Sequence, residues 1–232
     1  MSALAHHYTP GAGPVVLFLP GYASDMAGTK ALAIDGWARA GGRAALRFDY
    51  RGCGQSGGDF AAMTLEDWRD DVIAMIDQVA GPVVLVGSSM GGWLMLSAAL
   101  ARPGRVAALV GVAAAPDFTD WGFSADEQRT LLADGRLLRP SPYGPEPTLY
   151  TRALWESGAR LRLLNAPIAL HMPVRLLHGM ADADVPYAVA LKLVERLAGG
   201  DVQLTLIKDG DHRLSRAADI ALLIRTIEEV AR

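Results

Sequence analysis

At 232 residues, with 51% hydrophobic and 20% charged side chains, the chain is long enough to bury a sizeable core and too apolar to be disordered. A net charge of −3 and the lack of any basic run exclude the cationic stripe that a nucleic-acid partner would need. Cys53, the single cysteine, excludes an intramolecular disulfide and fits a reducing compartment.

The opening stretch, "MSALAHHYTPGAGP", lacks the basic-then-apolar order of a secretory signal. The first strand expected is "VVLFLP" (15–20), followed by "RAALRFD" (43–49). Residues 64–80 read as a helix. Thr64 can cap it with Asp67 three residues on, and Leu65, Trp68, Val72, Ile76 and Val79 recur at helical spacing. "VVLVGS" (83–88) is a third strand, with a helix opening near Met90, and "VAALVGVA" (106–113) is a fourth. "WLMLSAALA" and "VAALVGVAAAP" are the longest apolar stretches, and both are too short to span a bilayer. A cytoplasmic protein with no stable membrane insertion is therefore expected.

Between Asp117 and Pro167 no strand is expected. The stretch carries Trp121, Phe123, Tyr143, Tyr150 and Trp155, with five prolines from Pro140 to Pro167. An insertion of this length reads as a lid or binding element, with Trp121, Phe123 and Tyr143 as candidate substrate contacts. The bland alternative is a satellite apolar cluster in which the aromatics are simply core. "VRLLHG" (174–179), a helix over about 187–197, "VQLTLIK" (202–208) and a helix from about Ala217 complete the alternation. Apolar strands alternating with helices predict an α/β fold with a mostly parallel central sheet covered on both faces. One domain over residues 1–232 is expected, with the insertion at about 117–167.

Within "VGSSMGGW" (86–93), the pattern G-x-S-x-G is met only with Ser89 at its centre, because Val86 and Met90 stand where Ser88 would need glycines. A serine between such a strand and helix sits on a sharp turn that exposes its hydroxyl. Gly87 and Gly91 fit a turn in which a side chain would strike neighbouring backbone. A serine nucleophile needs a base and an acid that orients the base. Of the five histidines, only His212, in "KDGDHRLS", follows the last strand and projects at the same sheet edge as Ser89. His6, His7, His171 and His178 are less suitably placed. Asp182 and Asp184, in "HGMADADVPY", and Asp117 are the acids available after strands, and Asp209 and Asp211 lie too close to His212 in sequence. Ser89, Asp182 and His212 reproduce the order Ser…Asp…His.

"DYRGCGQSGG" (49–58) is similar to the D-x-R-G-x-G-x-S loop of α/β-hydrolases, and "HGMADADVP" matches their H-G-x-x-D-x-x-V-P pattern. The chain resembles that family over nearly its whole length, which implies the α/β-hydrolase fold and puts the acid on Asp182 rather than Asp184. "PGYASDMAGTKALAI", "VGSSMGGWLML" and "GDHRLS…ADI" carry a closer resemblance to an abhydrolase-domain branch of palmitoyl-protein thioesterases and acyl-glucuronide esterases. The richness in arginine over lysine suggests a bacterial relative. This resemblance implies hydrolysis of acyl thioesters or esters, free or on an acylated protein, through an acyl-enzyme on Ser89. It also implies an oxyanion hole formed by the N–H groups of Met90 and of Tyr22, in "PGYASD", where Gly21 allows close approach. A broad carboxylesterase and a ligand-binding protein without turnover are the rival readings, the second disfavoured by an intact Ser, Asp and His.

No H-x-x-x-H or cysteine pair suggests a metal, and no cofactor is expected. Cys53 reads as part of a glycine-rich loop, the carboxylates of "LEDWRDD" as a solvated helix face, and Asp25 as a helix cap.

Overall fold

The computed structural model describes residues 4–141 and 144–232. Its main sheet has seven strands: β1 (His6–Thr9), β2 (Ala12–Leu19), β3 (Arg43–Phe48), β4 (Val83–Ser88), β5 (Val106–Val112), β8 (Val174–Gly179) and β9 (Val202–Ile207). Their spatial order is β1-β3-β2-β4-β5-β8-β9. Only β1 runs antiparallel to its neighbour; the other pairs are parallel. Four helices connect strands of this sheet, α1 (Thr29–Gly41), α2 (Leu65–Gln78), α3 (Met90–Ala101) and α7 (Tyr187–Arg196), and α8 (Ala217–Val230) follows β9.

The two-residue period of a strand sends alternate side chains to opposite faces. On β4, Val83 and Leu85 enter a core shared with Trp68 and Val72 of α2, Leu94 of α3 and Leu193 of α7. Val84 and Val86 enter the other core, with Ile34 and Ala38 of α1 and Leu223 and Ile227 of α8. All four β4 side chains are fully buried, each worth ~1.5–3 kcal/mol of apolar transfer. This is why the β4 sequence is apolar without a break.

The Thr64–Asp67 capping box starts α2, with reciprocal side-chain-to-backbone bonds. Farther along α2 the sequence expectation of a solvated acidic face fails at Asp71. That carboxylate is buried and accepts hydrogen bonds from Arg51 N at 2.9 Å and Arg51 Nε at 2.6 Å. Asp25 does not cap α1, whose N-cap is Gly28; it closes a turn by accepting the Ala27 N–H at 2.8 Å. Burial, with help from Asp49, Asp71 and Asp25, pushes the Cys53 thiol up to about 12, so its thiolate is suppressed inside its loop.

The insertion between β5 and β8 differs from expectation. It carries α4 (Phe118–Trp121), α5 (Ala125–Asp134), a hairpin of β6 (Arg136–Arg139) and β7 (Thr148–Thr151), and α6 (Arg152–Arg160). The hairpin is a correction to the reading of 117–167 as strandless. Its strands have four residues each and pair antiparallel with one another, outside the main sheet. Asp117 adopts φ 56° and accepts the N–H groups of Leu163 and Leu164 at 2.9 and 2.8 Å, tying the two ends of the insertion together. Trp93 Nε1 donates to Leu161 O and Leu65 N to Ser157 Oγ, which fasten α6 to the body, and Trp155 Nε1 donates to Thr119 O, which ties α6 to α4.

Candidate active site

Ser89 stands between β4 and α3 with φ 55° and ψ −120°, a backbone conformation that costs energy for any non-glycine residue. The flanking glycines make the turn possible. A Cβ on Gly87 would lie 2.4 Å from Gly91 O, and one on Gly91 would lie 2.2 Å from Leu19 O. Gly92 has a packing reason as well, since its Cβ would meet that of Ala114 at 2.5 Å. Ser88 is the buried last residue of β4, whereas Ser89 is half-buried.

The His212 and Asp182 side chains converge on this turn. His212 Nε2 is 3.1 Å from Ser89 Oγ, and His212 Nδ1 is 2.9 Å from Asp182 Oδ2. A carboxylate can only accept, so Nδ1 carries the proton and Nε2 is left to accept from the serine hydroxyl. The Asp182 carboxylate is fully buried and the His212 ring nearly so, at 16% exposure. Asp182 Oδ1 takes the N–H groups of Asp184 and Val185 at 2.9 and 2.8 Å. Burial alone would raise the Asp182 pKa, but the hydrogen bonds from His178, His212 and Val185 overcome it and hold the group well below the usual carboxylate range.

The other candidates fall elsewhere. Asp184 is exposed and reaches the cluster through its backbone N–H, while Asp117 is committed to the insertion. His6, His7 and His171 are exposed and do not join the Ser89 site. Asp182, Asp184 and His212 present three ligand atoms within 4.8 Å of one another, but Asp182 and His212 are already bonded to each other.

Ser89, Met90, Tyr22 and His212 line a cavity of about 680 Å³, roofed by Phe118, Trp121 and Phe123 of the insertion. Two of the three aromatics expected to contact substrate, Trp121 and Phe123, therefore face the site, and Tyr143 lies outside the described residues. The Trp121 indole N–H is held by Pro116 O at 3.0 Å. The Tyr22 ring stacks on Tyr150 at 4.9 Å and 10°, and its hydroxyl donates to Leu149 O at 2.5 Å. Burial pushes the Tyr22 phenol well above its ordinary pKa, keeping it a neutral donor. Sequence reasoning noticed Tyr150 among the insertion aromatics but could not place it, because the strand that carries it, β7, and its partner β6 were not recognised.

Charged groups also reach the cavity. The Arg139 guanidinium lies 5.0 Å from the Phe123 ring centre and 5.1 Å from that of Tyr150, and pairs with Glu127 at 2.8 Å. Lys30 Nζ donates to Arg213 O at 2.5 Å, and burial followed by the nearby Arg213 charge pushes its amine down to about 8. Neither cation stood out in the sequence, because isolated basic residues carry no pattern. His178 was also passed over there, having been weighed only as a base; it is buried, with Nε2 3.4 Å from Asp182 Oδ2.

The profile of the alpha/beta hydrolase family matches residues 16–223. The mitochondrial palmitoyl-protein thioesterase ABHD10 of Mus musculus is 43% identical over 234 residues, which span 98% of this chain and 78% of that protein. The structure of mouse alpha/beta hydrolase domain-containing protein 10 superposes with a TM-score of 0.91 at 42% identity, covering 97% of this chain and 92% of that one. A crystal structure of a protein from Agrobacterium vitis S4 gives a TM-score of 0.94, also at 42% identity, covering 99% and 93%.

Proposed function

Because the chain belongs to the alpha/beta hydrolase family, we propose that it is a serine hydrolase that cleaves acyl thioesters and carboxylic esters through an acyl-enzyme on Ser89. The observation that carries this reading is the hydrogen-bonded series Ser89–His212–Asp182, at 3.1 and 2.9 Å, on the wall of a 680 Å³ cavity. The thioesterase name of a relative at 43% identity supports acyl thioesters as the preferred class, whether small molecules or acylated proteins.

His212 Nε2 takes the hydroxyl proton as Ser89 Oγ attacks the acyl carbonyl carbon. Asp182 holds the imidazole in the Nδ1–H tautomer and stabilises the imidazolium that forms. The carbonyl oxygen gains the negative charge, which the N–H groups of Tyr22 and Met90 receive. The Met90 N–H belongs to the first turn of α3, where the helix leaves it without an internal acceptor. Collapse breaks the carbonyl bond to the thiol or alcohol, which leaves with the proton from His212. Water then attacks the acyl-enzyme carbonyl as His212 takes its proton, and the second tetrahedral intermediate collapses by breaking the bond to Ser89 Oγ, which receives that proton from His212 as the acid leaves. Trp121, Phe123, Phe118 and Tyr150 give the acyl chain an apolar wall.

The test is kcat/KM on matched thioester and oxygen-ester substrates of rising chain length, with Ser89→Ala as the blank. A preference for long-chain thioesters that vanishes in the variant supports the reading. Turnover confined to short oxygen esters leaves a general carboxylesterase. Ligand binding with no turnover of either class leaves a binding protein.

A further inference from the structure

The proposed mechanism assigns no role to His178, the penultimate residue of β8, although it is 1% exposed and its ring touches the carboxylate that orients His212. His178 Nε2 lies 2.9 Å from Val185 O and 3.4 Å from Asp182 Oδ2. Both partners are acceptors once Asp182 is ionised, so Nε2 must carry the proton, which it donates to Val185 O with Asp182 Oδ2 as a longer second contact. The Val185 N–H in turn donates to Asp182 Oδ1 at 2.8 Å. One residue pair, His178 and Val185, therefore meets both oxygens of the carboxylate, through two hydrogen bonds and the 3.4 Å contact.

We propose that His178 is a positioning residue for the hydrolytic centre, fixing through its Nε2–H the plane and the proton-accepting direction of Asp182, and through Asp182 the His212 ring. Oδ2 is the oxygen that meets His212 Nδ1, at 2.9 Å, so the two histidines share one acceptor atom. A carboxylate side chain rotates easily about its last bond. Here rotation would break the bonds to Val185 N and His212 Nδ1 and the 3.4 Å contact with His178 Nε2 together. The strand placement makes this grip rigid. Gly179, the next residue, approaches the His212 loop so closely that a Cβ on it would lie 2.1 Å from Gly210 O, and Ala181 N donates to that same oxygen at 3.0 Å. The end of β8 and the His212 loop are thus joined at the base of the site. A short connection carries Asp182 and Val185 back over the His178 ring.

This inference rests on the reading that Asp182 orients His212 for catalysis, and the experiment separates the two. His178→Phe keeps an aromatic ring and removes the donor, whereas His178→Gln keeps an N–H that can reach the same acceptors. The Phe variant is expected to lose about 10- to 100-fold in kcat with KM within about twofold, the size of effect seen when supporting partners of a site residue are removed. The Gln variant is expected to recover most of that loss. Turnover by the Phe variant at the parent rate, or equal damage in both variants, would overturn the proposal. Imidazole ¹⁵N NMR of the unsubstituted protein tests it without any variant having to fold. Protonation of His178 on Nε2 is expected, and protonation on Nδ1 alone would overturn it. If the parent protein turns over no acyl substrate, the functional reading fails while the ¹⁵N spectrum still decides where the His178 proton lies.

Discussion

Ser89 holds its position at the expense of backbone strain, and the surrounding glycines show how that strain is accommodated. At φ 55° and ψ −120° the residue projects its hydroxyl away from the strand, which needs bare backbone on both sides. Gly91→Ala tests this directly. A Cβ there would lie 2.2 Å from Leu19 O and 2.6 Å from Pro20 O, and backbone atoms cannot turn aside as a flexible side chain can. The variant is expected to lose about 1–3 kcal/mol of stability in urea unfolding, the usual cost of overpacking. It is also expected to lose activity by about 10²-fold, because Pro20 leads into Tyr22 and a small displacement there would spoil the proposed oxyanion geometry. Parent-like stability and activity would contradict the account. At this scale the sequence was informative, since Gly87, Ser89 and Gly91 form a local pattern whose spacing encodes the turn. His212 could be ranked because it follows the last strand at the same sheet edge, whereas Asp182 and Asp184 both follow β8 and only the family resemblance separated them. Arg139, Lys30 and His178 could not, because only tertiary packing brings them to the cavity wall or to the acid.

The secondary-structure elements divide by how strongly local sequence specifies them. The strands β2, β4, β5 and β8 are nearly continuous apolar runs, and the α2 capping box is written in Thr64 and Asp67, so all were legible. Helix α1 was not. It has no side-chain cap and carries Gly36 in its interior, both of which weaken the helical signal. Edge strand β1, "HHYT", and the β6–β7 hairpin are four-residue segments held by pairing rather than by an apolar pattern. Two predictions follow from this contrast. A Cβ on Gly36 would meet nothing within 4 Å, so Gly36→Ala should stabilise the protein by about 0.5–1 kcal/mol and raise Tm by a few degrees. A lower Tm would mean that α1 is constrained in some other way. Asp117→Ala should act in the opposite direction. It strands the N–H groups of Leu163 and Leu164 where the insertion closes, at about 1–3 kcal/mol for an unsatisfied buried donor. An unchanged Tm in that variant would show that the insertion is held by its other anchors, such as Ser157 and the tryptophan indoles.

Across the whole molecule, the chemistry gathers at the carboxyl ends of β2, β4, β8 and β9, with the insertion as a roof. Tyr22 links these parts, since its backbone belongs to the loop beneath the cavity while its ring and hydroxyl engage the β6–β7 hairpin. The sequence suggested that an aromatic-rich insertion covers the site, but the stacking of Tyr22 on Tyr150 depends on a strand pairing that no local pattern announced. Asp182 also gives the fold a pH signature. Its pKa is depressed on folding, so the stability it contributes is fully present above the unfolded carboxylate value and is lost as pH falls through the lower folded value. Urea midpoints should therefore show Asp182→Asn less stable than the parent near neutrality, with the gap narrowing below about pH 4. A gap that stays constant into acid would mean that the ionised form of Asp182 has no special place in the folded state. The central claim is the acyl-enzyme on Ser89, and rapid-quench mass spectrometry during turnover of a long-chain acyl thioester tests it most directly. The account predicts one acyl group on the peptide that carries Ser89, formed within the first turnover and absent from Ser89→Ala. An acyl group on another residue, or turnover persisting in Ser89→Ala, would contradict it.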